Sequence, residues 1–91
     1  MEPVHVPIED SIDLHAFAPR DVPSVVAAYI EAAHLAGHEI VRLIHGRGRG
    51  HQRARVQHVL RDSPLVAEVW DDPRSHLGAT SVRLHRKDRQ S

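Results

Sequence analysis

The chain has 91 residues, 41% of them hydrophobic, which suffices for one buried core and leaves no room for a second. It has no cysteine, which excludes disulfides, thiolate metal sites and cysteine nucleophiles, and no apolar run near the roughly 18 residues that cross a bilayer. Twelve basic and twelve acidic residues cancel, but unevenly: seven acids and one arginine up to Glu39, six arginines and no acid from Ile40 to Arg61, then five of each.

In chain order, Val4, Val6 and Ile8 alternate with polar residues between Pro3 and Pro7, so residues 1–11 are expected to form an extended arm. Its first residues lack the basic start and apolar run of a secretory leader, which sets the expectation of a cytoplasmic protein without membrane partners. Ile12-Asp13-Leu14-His15 reads as a first strand, ended by the turn-prone Ala18-Pro19-Arg20-Asp21. Asp21 is a candidate cap for a helix whose first turn holds Pro23, and Val22, Val25, Val26, Tyr29, Ile30 and Ala33 make its apolar stripe before Gly37 stops it. Ile40-Val41-Arg42-Leu43-Ile44 is apolar enough for a central strand covered on both faces. A glycine-rich turn follows, then a second helix carrying Ala54, Val56, Val59 and Leu60, stopped by Asp62-Ser63-Pro64. Val66 to Trp70 makes a third strand, Asp71 to Gly78 a long polar connection, Thr80 to His85 a fourth strand, and Arg86 to Ser91 a frayed tail.

The order β-α-β-α-β-β implies an α/β two-layer sandwich. It would hold a mixed four-stranded sheet with a parallel core and a C-terminal antiparallel hairpin, one domain over residues 12–85.

Two patterns carry chemistry. Asp13 and His15, two apart on the expected strand, would leave one face together, and a carboxylate beside an imidazole sets its tautomer and suits it to proton transfer near neutral pH. The second is His45-Gly46-Arg47-Gly48-Arg49-Gly50, between a strand and a helix. Glycines there permit positive φ and close backbone approach, so turn amides can converge on phosphate beside the positive end of the helix dipole, with Arg47, Arg49 and Arg53 adding charge. The spacing fits neither a Walker loop nor a dinucleotide fingerprint. Because His15 and His45 both fall at carboxyl ends of strands, they are expected to open onto one cleft. The remaining histidines do not form a metal-ligand pattern, and Tyr29 and Trp70 read as packing residues, so affinity is expected to come from phosphate contacts.

These motifs resemble those of the small MutS-related (Smr) domain family from about Ile12 to Leu84: Ile12-Asp13-Leu14-His15, Ile44-His45-Gly46-Arg47-Gly48-Arg49-Gly50, and Leu77-Gly78-Ala79-Thr80-Ser81-Val82-Arg83-Leu84. The resemblance implies a stand-alone member with a sandwich fold related to the C-terminal domain of a translation initiation factor. It further implies nucleic-acid binding, with DNA-nicking or RNA-cleaving activity in several members and partners in repair or on the ribosome. It points to Asp13, His15 and His45 as catalytic candidates, and to the turn from His45 to Gly50 as substrate-binding. Ala16 and Leu77 stand where the family has glycine.

Three functions follow as expectations. The first is an endonuclease on RNA or DNA, metal-free through a 2′-hydroxyl or, on DNA, with a divalent cation such as magnesium or manganese near Asp13. The second is a nucleic-acid-binding module without catalysis, and the third a small-molecule phosphohydrolase.

Overall fold

The computed structural model of the chain describes residues 8–47 and 50–86. The arm over residues 1–7, the tail over 87–91, and Gly48 with Arg49 lie outside the described residues. Six main elements run β1 (Ser11–Asp13), α1 (Val22–Leu35), β2 (Ile40–Ile44), α2 (His51–Arg61), β3 (Val66–Asp71) and β4 (Ala79–Leu84).

The sheet order is β1-β2-β4-β3. β1 and β2 pair in parallel, Ser11 opposite Arg42 and Asp13 opposite Ile44. β4 returns antiparallel between β2 and β3, with Ile44 opposite Ala79 on one side and Asp71 opposite Thr80 on the other. β1, β2 and β3 therefore point the same way, and the last strand separates the second from the third. Three carboxyl ends and the start of β4 meet at one edge of the sheet, together with the N-termini of both helices.

The helices cover one face. Val41 and Leu43 of β2, with Val82 and Leu84 of β4, pack against Val22, Val26, Tyr29, Ile30 and Ala33 of α1 and Val56 and Leu60 of α2. Sites buried like these are each worth roughly 1.5–3 kcal/mol of transfer free energy. The α1 stripe lies where its periodicity put it, whereas Ala54 on α2 is exposed. The expectation that β2 is covered on both faces is corrected: Ile40 is 50% exposed, because no helix lies on that side. β4 is the more buried strand, with Ala79, Thr80, Ser81, Val82 and Leu84 all buried. Trp70 is 37% exposed on the uncovered face, while Tyr29 lies in the core as expected.

Gly37 ends α1 in a left-handed conformation, φ +88°, with His38 N–H donating to Ala33 and Gly37 N–H to His34. Asp21 makes no side-chain cap; the chain instead enters α1 through one 3-10 turn, Pro19–Asp21, with Pro23 in the first helical turn. The segment before β1 is tied down from α1 and its end: Tyr29 donates to the Glu9 carbonyl at 2.6 Å and His38 to that of Ile8 at 2.7 Å.

Candidate active site

β1 ends at Asp13, and Leu14–Ala16 form a single 3-10 turn. Asp13 caps that turn. Its Oδ1 accepts from the His15 amide at 2.9 Å and from His15 Nδ1 at 2.7 Å. The pair thus forms, but by capping and not by strand alternation, because Leu14 must turn inward to the core, where it is 2% exposed. The His15 amide, and next the imidazole, hold the Asp13 carboxyl below its ordinary value. An anionic Asp13 takes Nδ1–H and leaves the Nε2 lone pair of an exposed imidazole for other work.

His15 rests against Gly46. A Cβ at Gly46 would stand 2.6 Å from His15 Nε2, and Gly46 has φ +81°, so both close approach and backbone conformation require glycine there. A cleft of about 310 Å³ opens beside them, lined by His15, His45, Gly46, Arg47, Gly50, His51 and Gln52.

Both motif histidines line this cleft, but they are not equivalent. His45 is 5% exposed; its Nδ1 bonds the Gly46 carbonyl at 2.8 Å and its Nε2 the Thr80 hydroxyl at 2.9 Å. Burial, chiefly, pushes its pKa down. With both nitrogens engaged in the protein, His45 offers none to a substrate, which corrects the expectation of a second open imidazole.

The turn amides are also spent differently than expected. His45 and Gly46 N–H both donate to the Gly78 carbonyl, at 3.0 and 2.9 Å, and Gly50 N–H to that of Arg47 at 3.1 Å. What faces the cleft is the start of α2, capped by Gly50 at φ +84° without a side-chain cap. The first turn of a helix leaves amides without intrahelical partners, and His51 and Gln52 of that turn line the cleft.

The arginine block disperses. Arg47 is exposed at the rim, its stem 3.4 Å from where a Cβ of Gly78 would be. Arg42 pairs with Asp72. Arg53, expected to reach phosphate, is half-buried, and its Nε and Nη2 grip both oxygens of Asp71 at 2.7 and 2.8 Å. Arg55 donates to the Pro19 carbonyl at 3.2 Å and to Gln52 at 3.0 Å, which joins α2 to the entry of α1.

Sequence reasoning missed Thr80, Gln57, Asp71 and Gly78. Gln57 is buried and donates to Thr80 at 3.1 Å and to Asp71 at 3.0 Å. The available signal was a glutamine between Val56 and Leu60 on the inward stripe of α2 and a threonine at an inward position of a buried strand. The residues present do not assemble a cation cage. Among the described residues no three His, Asp or Glu converge, and Asp13 Oδ1 is already occupied by His15.

A family model, the Smr domain, matches residues 12–85. Proteins named endonuclease MutS2 are similar: 35% identity over 75 residues in Solidesulfovibrio magneticus, 80% of this chain and 10% of the relative, with the same figures in Carboxydothermus hydrogenoformans. The chain thus spans about a tenth of the length of these relatives. The crystal structure of the Smr domain of Thermus thermophilus MutS2 superposes with a TM-score of 0.79 at 28% identity, over 85% of this chain and 99% of that one. YdaL, a stand-alone small MutS-related protein from Escherichia coli, gives 0.75 at 26% identity, over 85% and 65%. The family model covers residues 12–85 and the β-α-β-α-β-β fold superposes on solved Smr domains, and the chain belongs to the Smr domain family.

Proposed function

We propose that this domain is an endonuclease and that its preferred substrate is RNA. The observation that carries the reading is the 2.7 Å bond from His15 Nδ1 to Asp13, which leaves Nε2 as a base at the edge of the cleft. His15 Nε2 removes the proton of a 2′-hydroxyl, the 2′-oxygen attacks phosphorus, and the bond from phosphorus to the 5′-oxygen breaks. His51, in the same cleft, gives the leaving oxygen its proton. Products are a 2′,3′-cyclic phosphate and a 5′-hydroxyl. Arg47 and the first amides of α2 stabilise the charge that develops on the phosphorane oxygens. A single imidazole oriented by one carboxylate suits proton abstraction from a 2′-hydroxyl. The endonuclease relatives support phosphodiester chemistry in general.

The test is cleavage of matched RNA and DNA oligonucleotides with and without chelator, followed by end-group analysis. Cyclic phosphate ends on RNA in chelator are expected. Metal-dependent nicking of DNA alone would replace this route, and binding without cleavage would favour a non-catalytic module. Binding itself should weaken with salt, and Arg47→Ala should lower the slope of log K against log salt by roughly 0.7–0.9.

A further inference from the structure

His45 belongs to the most conspicuous sequence motif of the site, yet the mechanism above gives it no proton to carry. Its surroundings say what it does instead. The Gly46 carbonyl can only accept, so His45 Nδ1 must carry the proton of that 2.8 Å bond. The question is then whether Nε2, 2.9 Å from Thr80 Oγ1, donates or accepts.

The bonds beyond Thr80 decide it. The Asp71 carboxylate is fixed by Arg53 through two bonds, at 2.7 and 2.8 Å, and can only accept, so the group of Gln57 that faces it is the amide nitrogen. That nitrogen has two hydrogens: one goes to Asp71 at 3.0 Å, the other to Thr80 Oγ1 at 3.1 Å. Thr80 is fully buried and, having accepted from Gln57, has its own proton to place; the neighbour able to take it is His45 Nε2. Both His45 nitrogens and the Thr80 hydroxyl are satisfied when Nε2 accepts. Were Nε2 to donate, the Thr80 hydroxyl proton would be buried without a partner, which is the costlier arrangement.

We infer that Arg53, Asp71, Gln57 and Thr80 form a positioning relay that locks His45 as the neutral Nδ1–H tautomer, making it a brace for Gly46 and, through Gly46, for His15. Gly46 is then held twice, by its carbonyl to the His45 ring and by its amide to the Gly78 carbonyl at 2.9 Å. It is the wall against which His15 Nε2 rests. The charges facing His45 are Arg53 from α2, Asp71 from β3 and His15 from the turn after β1; burial and Arg53 oppose a charged ring while Asp71 favours one. The role in catalysis rests on the proposal that His15 is the base, whereas the tautomer does not.

Long-range proton–nitrogen NMR of the labelled full chain reads the His45 tautomer directly, and single-turnover cleavage with a measured Kd for the same RNA reads its consequence. The parent should show His45 protonated at Nδ1 and bare at Nε2 at pH 7. Thr80→Val, which leaves Nε2 beside a methyl in place of a donor, should shift the His45 Nε2 resonance, shift the His15 resonances and slow cleavage on the order of tenfold to a hundredfold with little change in Kd. Thr80→Ser, which keeps the hydroxyl, should restore all three. Gln57→Leu is the second variant should Thr80→Val fail to fold. A parent ring protonated at Nε2, or a folded Thr80→Val that leaves His15 unmoved and cuts at the parent rate, overturns the relay. If the parent cuts no substrate, the nuclease proposal falls and the NMR alone decides: the Nδ1–H form with His15 displaced in Thr80→Val supports the relay, and an unmoved His15 rejects it.

Discussion

The two sides of Gly46 form two chemical regions. On the solvent side, His15 is exposed, tied at one nitrogen to a carboxylate and free at the other. On the buried side, His45 is enclosed, tied at both nitrogens, and pushed away from protonation by burial. The same side chain meets the same cleft glycine from two sides, as the proposed base on one and as a strut on the other. The difference lies in the partner: an anion that leaves a lone pair outward, or a hydroxyl that fills it.

The largest expected effect breaks the solvent side alone. His15→Ala should slow RNA cleavage by about 10²–10⁴-fold with affinity nearly unchanged, since binding is assigned to Arg47 and the α2 amides. Asp13→Asn, which keeps the shape but not the charge, should lose most of the same rate. Equal single-turnover rates for parent and both variants would remove His15 and Asp13 from the chemistry.

Gly46→Ala attacks the wall between the regions. The new methyl meets His15 Nε2 at 2.6 Å, and φ +81° costs an alanine roughly 1–2 kcal/mol. Cleavage should be lost and stability should fall. In the His15→Ala background the steric part vanishes, so the destabilisation should shrink to the backbone part. A chemical denaturation cycle over the four proteins measures this, and strict additivity would contradict contact across Gly46.

The buried side should show itself in the pH dependence of stability. His45 has its folded pKa below the ordinary 6.5, so between those values the unfolded chain binds a proton that the folded one refuses. Its contribution is therefore intact above pH 6.5 and lost as pH falls through and below that value, with a slope of at most about 1.4 kcal/mol per pH unit. His45→Asn should flatten this part of the profile in urea melts from pH 7.5 to 5. An unchanged slope would mean that His45 titrates normally.

The smallest effect tests a local strain near the cleft. Leu77, half exposed, stands at φ +70° just before Gly78, whose carbonyl receives His45 and Gly46. That left-handed conformation favours glycine over a side chain with a Cβ. Leu77→Gly should stabilise the fold by roughly 0.5–1 kcal/mol, the strain relieved being partly offset by glycine's greater chain entropy. Differential scanning calorimetry should find a small rise in Tm, and a fall would show that Leu77 makes packing contacts worth more than its strain.

The sequence by itself determined the elements, because the 3.6-residue stripe of α1, the apolar run of β2 and the turn residues between them are local. It also singled out Asp13, His15 and Gly46, whose partners lie two residues away or in the adjacent parallel strand. The tertiary structure alone decided the rest. Once β4 enters between β2 and β3, Thr80 stands opposite Asp71 and beside His45, and the Gly78 carbonyl meets the amides of His45 and Gly46, the links to His45 and Gly46 joining residues more than thirty positions apart. That placement consumes the amides of His45 and Gly46, sets Asp71 beside Arg53 and closes His45. A side chain's chemical type is written in the chain, but whether its lone pair or its charge remains available depends on which partner the fold brings to it.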